Sequence, residues 1–188
     1  ATFYMNNRGV ICGFEKNFPA PGLGFVTNAM QATGLTGNTV EFRMMDTKGV
    51  WNTYTLAEGV KIDGAAYTNT SAAINAFLSM ANGKDGDKHF INRVLAYELN
   101  DNGEVESIYT KTMADVIKFG TIPAEDTEYT ESTGSYNKGI ITDSTVIINL
   151  PGGTDYTKEI PENSVEVANK DALIDKNAYR MQAFGRNE

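Results

Sequence analysis

The sequence predicts a mainly β fold: small antiparallel barrel or sandwich units built from hairpins, with one short helix near residues 71–81. Three observations predict it. One turn pattern (an apolar residue, Asn or Asp, two variable residues, Gly, one residue, an apolar residue) occurs at residues 5–11, 45–51 and 99–105. Residues 39–46 alternate between apolar and polar side chains, as a half-buried strand does. Thr, Val, Ile, Tyr and Phe are frequent, and these residue types favour strands.

Each of the three turn patterns predicts a tight β-hairpin. Asn or Asp at the first turn position can bond the backbone further along. Gly three positions later adopts the positive φ that the following bulge requires. The predicted hairpins cover residues 2–15, join 39–46 to 50–56, and join 90–99 to 105–109.

One helix is predicted between the second and third hairpins. Thr70 or Ser71 can cap its start. Apolar residues that include Ile74 and Phe77 follow at helical spacing. Gly83 is predicted to end it.

The hairpin-rich pattern ends near residue 112, which predicts two units. Residues 1–112 form a β subdomain with the helix, and residues 113–188 form a second, smaller β subdomain. The alternative is a single domain built by the whole chain. The chain opens at Ala1 with a strand pattern and without Met, so we expect it to be part of a longer precursor.

The charge balance and the lack of a long apolar run argue against two kinds of interaction, with nucleic acids and within a membrane. The chain has 188 residues, with 16 Lys and Arg against 24 Asp and Glu, for a net charge of −8. An acidic surface repels phosphates, so a nucleic-acid partner is not expected. No run of about twenty apolar residues is present, so no membrane insertion is expected.

The order of patterns resembles a known class of surface protein. Residues 38–109 contain "DTKGV", "TYTLAEGVKIDGAAY", the helix and "RVLAYELNDNGEVESIYT", and "ITDSTVIINLPGG" and "NAYRMQAFG" follow. In this order the chain resembles the non-anchor β-rich regions of Gram-positive cell-surface proteins that carry S-layer homology domains. The resemblance implies an exported, extracellular protein held at the cell wall by anchor domains elsewhere. It implies no catalytic residues.

The sequence does not predict a catalytic site. His89 is the only histidine and Cys12 the only cysteine, so triad-type catalysis would have to use His89. Glu104 and Glu106 are two apart and would share one face of a strand, which a carboxylate-based hydrolase could use. A solvated strand face is the simpler interpretation of that pair. We therefore expect a protein that is not an enzyme.

Trp51, Thr53 and Thr55 are the candidate ligand-binding residues. They alternate on the strand face opposite Tyr54 and Leu56. An exposed Trp flanked by Thr suits stacking against a sugar ring, which makes a carbohydrate-binding module one hypothesis. The other interpretation is that Trp51 packs beneath a loop or a second subdomain, as large aromatic residues usually do.

Asp85 and Asp87 are the candidate metal ligands. They lie in the polar stretch 82–88 and offer the oxygen ligands that calcium takes. The twelfth-position Glu of a calcium loop is missing, and a plain helix-to-strand loop explains the stretch equally. We expect no cofactor, with calcium at this loop as the alternative.

These inferences lead to three functional hypotheses. The first is a non-enzymatic structural or adhesive module of a bacterial cell-surface protein, whose partners are cell-wall or surface polysaccharides or other surface proteins. The second is a carbohydrate-binding module that uses Trp51. The third is a hydrolase that uses Glu104 and Glu106.

Overall fold

The computed structural model describes residues 2–5, 11–15, 22–34, 37–110, 124–136, 139–143, 145–176 and 178–181. The elements of this part of the chain are, in order, β1 (Thr2–Met5), β2 (Ile11–Glu15), β3 (Gly22–Gly34), β4 (Gly37–Asp46), β5 (Trp51–Ile62), β6 (Ala65–Ala66), α1 (Thr70–Leu78), β7 (Gly83–Asp85), β8 (Lys88–Leu99), β9 (Val105–Tyr109), β10 (Ala124–Thr130), β11 (Ser135–Tyr136), β12 (Gly139–Ile140), β13 (Ile147–Asn149), β14 (Glu166–Ala168) and β15 (Ala178–Met181). Short 3₁₀ helices lie at Glu131–Thr133, Glu162–Ser164 and Lys170–Ala172. The predicted mainly β class with one short α-helix is confirmed.

Five strands close into a barrel. Their order is β3, β4, β5, β9, β8 and back to β3. Neighbours pair antiparallel except β5 and β9, which pair parallel. The 13-residue β3 closes the barrel because it pairs with β4 along one edge and with β8 along the other. This order, with α1 between the third and fourth barrel strands, is the connectivity of the OB-fold barrel.

The predicted turn chemistry is confirmed in the second and third hairpins. Asp46 Oδ1 accepts a hydrogen bond from the Val50 N–H at 2.9 Å, and Gly49 has a φ of 83°. Asn100 Oδ1 accepts hydrogen bonds from the backbone N–H groups two and four positions later, at 3.0 and 2.9 Å, and Gly103 has a φ of 79°. In the first hairpin β1 and β2 pair antiparallel, while its turn lies outside the described residues.

The helix is confirmed, with different ends. Asn69 caps it, because its Oδ1 accepts a hydrogen bond from the Ala72 N–H at 3.1 Å. The helix ends at Leu78, and the Ala81 N–H bonds the Leu78 carbonyl in a tighter turn. Gly83 does not end the helix as predicted, since it begins β7.

The barrel interior holds the main hydrophobic core, and α1 packs against it. The described members of this core are Val26, Ala29, Val40, Phe42, Met44, Leu56, Val60, Ile62, Ala73, Ile74, Phe77, Ile91, Leu95, Val105 and Ile108. The members on the barrel strands alternate with residues that face outward, and the members on α1 are Ala73, Ile74 and Phe77.

Part of the C-terminal third packs on the outside of the barrel. β10, β11, β12 and β15 form one sheet, and β13 pairs with β14. We call residues 147–168, which run from β13 through β14, the strap. The predicted subdomain boundary near residue 112 lies outside the described residues and stays a prediction. In the described part of the chain, no helix has the length and apolar character needed to cross a membrane.

Candidate functional site

An apolar row crosses the outer face of four barrel strands. The Cα pairing places Trp51 beside Met45, and Met45 beside Phe25. Phe25 in turn lies beside Val94. The strap covers this outer row with Ile148, Leu150, Tyr156, Ile160, Val165 and Val167. Phe25 and Met45 are 3% and 1% exposed, so this part of the outer face is an internal interface of the chain.

Arg43 binds the strap at the edge of the outer row. Its Nε and Nη2 donate to Glu162 Oε1 and Oε2 at 2.7 and 2.8 Å, a two-pronged geometry that strengthens an ion pair. Nη1 donates to Thr53 Oγ1 at 3.1 Å, and Cζ lies 6.0 Å from the Trp51 ring centroid. The hydrogen bonds from Arg43 lower the pKa of Glu162. Because the two side chains are 31% and 39% exposed, the pair contributes about 1 kcal/mol at most.

Asn92 holds the middle of the strap. Its side chain is buried, and Nδ2 donates to the carbonyl oxygens of Tyr156 and Lys158 at 2.8 and 2.7 Å. Asn92 lies in β8 where the register with β3 shifts, and its φ is 44°. Asn is one of the few residue types that tolerate this left-handed conformation. The bonds go to backbone carbonyls, so they do not depend on the strap's own side chains.

Two further contacts fix the strap against the start of β7 and β8. A Cβ added to Gly83 would lie 2.0 Å from the Thr157 carbonyl oxygen, so only glycine lets the strap backbone approach this closely. Lys88 forms an ion pair with Glu159. Two carboxylates of the strap, Glu159 and Glu162, therefore each pair with a basic side chain of the barrel.

A column of aromatic rings runs through the barrel interior. The Phe77 and Phe42 ring centroids are 4.8 Å apart, those of Phe42 and Tyr54 are 6.1 Å apart, and those of Tyr54 and Tyr97 are 5.8 Å apart. Burial, together with a hydrogen bond to Tyr54, raises the pKa of Tyr97 to about 12. The raised pKa reflects the position of Tyr97 in the packing of the barrel.

Comparisons with known proteins find no related family, protein or structure. A scan against protein-family models finds no match, and searches of the curated proteins and of the solved structures find no significant match either. The OB-type connectivity is therefore a statement about strand order alone, and the functional argument depends on this chain's own residues.

The structure brings two of the three predicted ligand-binding residues together around Arg43. Trp51 is half-buried in the interface with the strap, and Thr53 is exposed and bonded to Arg43. Thr55 is half-buried two residues further along β5, opposite Glu41. Trp51 thus has the packed environment of the second interpretation, while glycan binding at this face stays a prediction.

Sequence reasoning missed the residues that hold the strap. Asn92 carried a usable signal, because it lies with Arg93 between apolar residues on both sides within 90–95, and a buried polar side chain needs a partner. Arg43 carried no such signal, since it follows Thr39 and Glu41 on a face that alternation predicts to be solvated.

The predicted metal ligands lie at a tight turn. Asp85 ends β7 and pairs across the ladder with Lys88, while Gly86 has a φ of 57° and Asp87 completes the turn. Both carboxylates are exposed. The described residues contain no group of three or more His, Cys, Asp or Glu side chains that could hold a metal ion. Calcium binding at Asp85 and Asp87 stays a prediction.

The residues considered for catalysis lie in different elements of the fold. His89 is half-buried in β8. Glu104 Oε2 accepts a hydrogen bond from Asn100 Nδ2 at 2.9 Å within the turn before β9, whereas Glu106 is exposed in β9 itself. Cys12 lies in β2.

Proposed function

We propose that the chain is a non-enzymatic structural or adhesive module of a bacterial cell-surface protein. The main support for the proposal is the strap, which packs on the outer face of the barrel of the same chain. The clamp joins residues as far apart in sequence as Arg43 and Glu162, separated by 119 positions. If the strap dissociated, the apolar outer row would be exposed to water, and these contacts therefore favour the folded chain. Such stabilisation suits a module that must stay folded outside the cell. The resemblance to S-layer-associated surface proteins supports the extracellular setting.

A single-molecule stretching experiment tests this function. The full chain is pulled through handles at its two ends, so that force on the C-terminal handle loads the strap. We expect the wild-type chain to unfold at a higher force than an Asn92→Gly variant, because that variant lacks the two bonds to the strap backbone. Lys61→Ala, at an exposed position of β5, is the matched control and should unfold like the wild type. Equal unfolding forces for the wild type and Asn92→Gly would contradict a mechanical role for the strap.

A carbohydrate-binding module is the second candidate. The observation in its favour is that Thr53 is exposed beside Arg43 and Trp51 on the outer face of β4 and β5. These are the second and third barrel strands, whose outer face binds oligosaccharides in OB-fold proteins. This argument is an analogy between folds and says nothing of a particular sugar.

Binding to purified peptidoglycan and to a panel of wall and host polysaccharides tests the second candidate. Thr53→Ala is a sharper variant than Trp51→Ala, because Trp51 also packs against the strap and its loss would disturb folding. Saturable binding that Thr53→Ala weakens at least tenfold would place the glycan at this face. Absence of binding by the wild type, or equal binding by both chains, counts against it. Release of sugar fragments in the same samples would contradict the non-enzymatic assignment.

A further inference from the structure

The strap is attached to the barrel without a shared ladder. β13 and β14 pair with each other in a sheet separate from the barrel. In the described residues, no backbone-to-backbone hydrogen bond joins strap and barrel. The attachment consists of apolar contacts with the outer row, the Arg43–Glu162 and Lys88–Glu159 ion pairs, and the Asn92 amide. The strap can therefore leave with every strand pairing of the barrel intact.

The strap belongs to a C-terminal unit that closes on itself. β10 pairs antiparallel with β15, with Glu128 opposite Ala178. The Lys176 N–H donates to the Tyr129 carbonyl at 2.6 Å, and the Glu131 N–H donates to Asp175 Oδ1 at 3.1 Å. These contacts join the two ends of residues 124–181, so the strap between them can move as part of one unit.

A short piece of chain connects this unit to the barrel. The barrel ends at Thr110, whose N–H donates to Asp63 Oδ1 at 2.6 Å. The C-terminal unit begins at Ala124, so thirteen residues, 111 to 123, lie between them. Thirteen residues span about 45 Å at most, which sets the upper limit on how far the C-terminal unit can lie from its own barrel.

We propose that the outer row is also a docking site for the strap of a second copy of this chain, by reciprocal exchange. The contacts are identical whether the strap comes from the same molecule or from its neighbour. The concentration of neighbouring chains therefore decides whether the strap docks within its own molecule or on a neighbour. Exchange competes with the effective concentration of the strap near its own barrel, which is in the millimolar range for a short connection. This inference rests on the proposed function, because display on a cell surface crowds many copies together. The exchange would link neighbouring modules.

Charge reversal tests the exchange with full-length chains. Arg43→Glu and Glu162→Arg each place like charges between barrel and strap of the same molecule. When the two variants are refolded together, opposite charges meet only if each strap docks on the other molecule's barrel. We expect the mixture, loaded at millimolar concentration, to contain a larger fraction of chain at twice the monomer mass in light scattering coupled to size exclusion than either variant alone. The double variant Arg43→Glu/Glu162→Arg restores the pair within one chain and should behave like the wild type.

A covalent trap covers the case in which a charge variant does not fold. An ideal Cβ at Gly49 lies 3.9 Å from the Val167 Cβ, close to the Cβ separation of a disulfide. Because Gly49 has a φ of 83°, cysteine there is strained, and circular dichroism first checks that the Gly49→Cys chain is folded. Chains carrying Gly49→Cys and Val167→Cys, both with Cys12→Ser, are mixed at millimolar concentration and oxidised. We expect more disulfide-linked dimer from this mixture than from the control mixture of Lys61→Cys with Val167→Cys. A monomeric charge-reversal mixture together with no excess of trapped dimer overturns the proposal. The stretching experiment uses single molecules, in which no exchange between copies can occur, so it tests the proposed function independently of this inference.

Discussion

Phe77→Ala is expected to lower the free energy of unfolding by about 3–5 kcal/mol, the usual cost of truncating a buried aromatic residue. Phe77 is 0% exposed, and its ring contacts that of Phe42 in the barrel interior. Through this side chain α1 fills one part of the barrel core, so truncation leaves a cavity between helix and barrel. Urea unfolding followed by circular dichroism measures the change.

The matched control for this variant lies on the same helix. Asn75 is exposed in α1, and Asn75→Ala should change the stability by no more than about 0.5 kcal/mol. A loss below about 1 kcal/mol for Phe77→Ala would mean that the helix is not part of the cooperative barrel core.

Asn92→Gly is expected to lower the free energy of unfolding by about 1–3 kcal/mol, because the carbonyls of Tyr156 and Lys158 lose the donor that bonds them at the strap–barrel contact. Glycine accepts the φ of 44° at this position, so the variant removes the amide without straining the backbone. Part of the loss is offset, since Asn92 Oδ1 is itself buried and has no hydrogen-bond partner among the described residues. Urea unfolding again measures the cost.

Asn92→Ala separates the two roles of this residue. It removes the same amide and adds left-handed strain, so it should be about 1 kcal/mol less stable than Asn92→Gly. Trp51 provides a local readout, because its ring packs against the strap. Its fluorescence should shift to longer wavelength at lower urea in both variants than in the wild type. If both variants unfold like the wild type, the Asn92 amide does not hold the strap.

The hairpin turns could be predicted because their physics is local. Asp46 and Asn100 each bond backbone groups within four residues, and Gly49 and Gly103 supply the positive φ three positions later. Nothing distant in the chain is needed to stabilise such a turn. The same holds for the face that contains Trp51, since strand alternation alone separates it from Tyr54.

The ends of the helix were harder to predict from the sequence, because several neighbouring residues could serve as the cap. Asn69, Thr70 and Ser71 are all good capping residues, and only the folded backbone selects Asn69. Gly83 has the residue type of a helix stop, but the approach of the Thr157 carbonyl explains its presence better.

By itself the sequence determined the class of fold, the turns, the existence of the helix and the faces of the strands, because each follows from contacts within a few residues. The tertiary structure alone decided the parallel pairing of β5 with β9, the closure of the barrel through β3, and the covering of the outer row by the strap. These depend on residues up to 119 positions apart, and no local pattern records which distant segment meets which face. For that reason the candidate face around Trp51 was predictable, and its occupant was not.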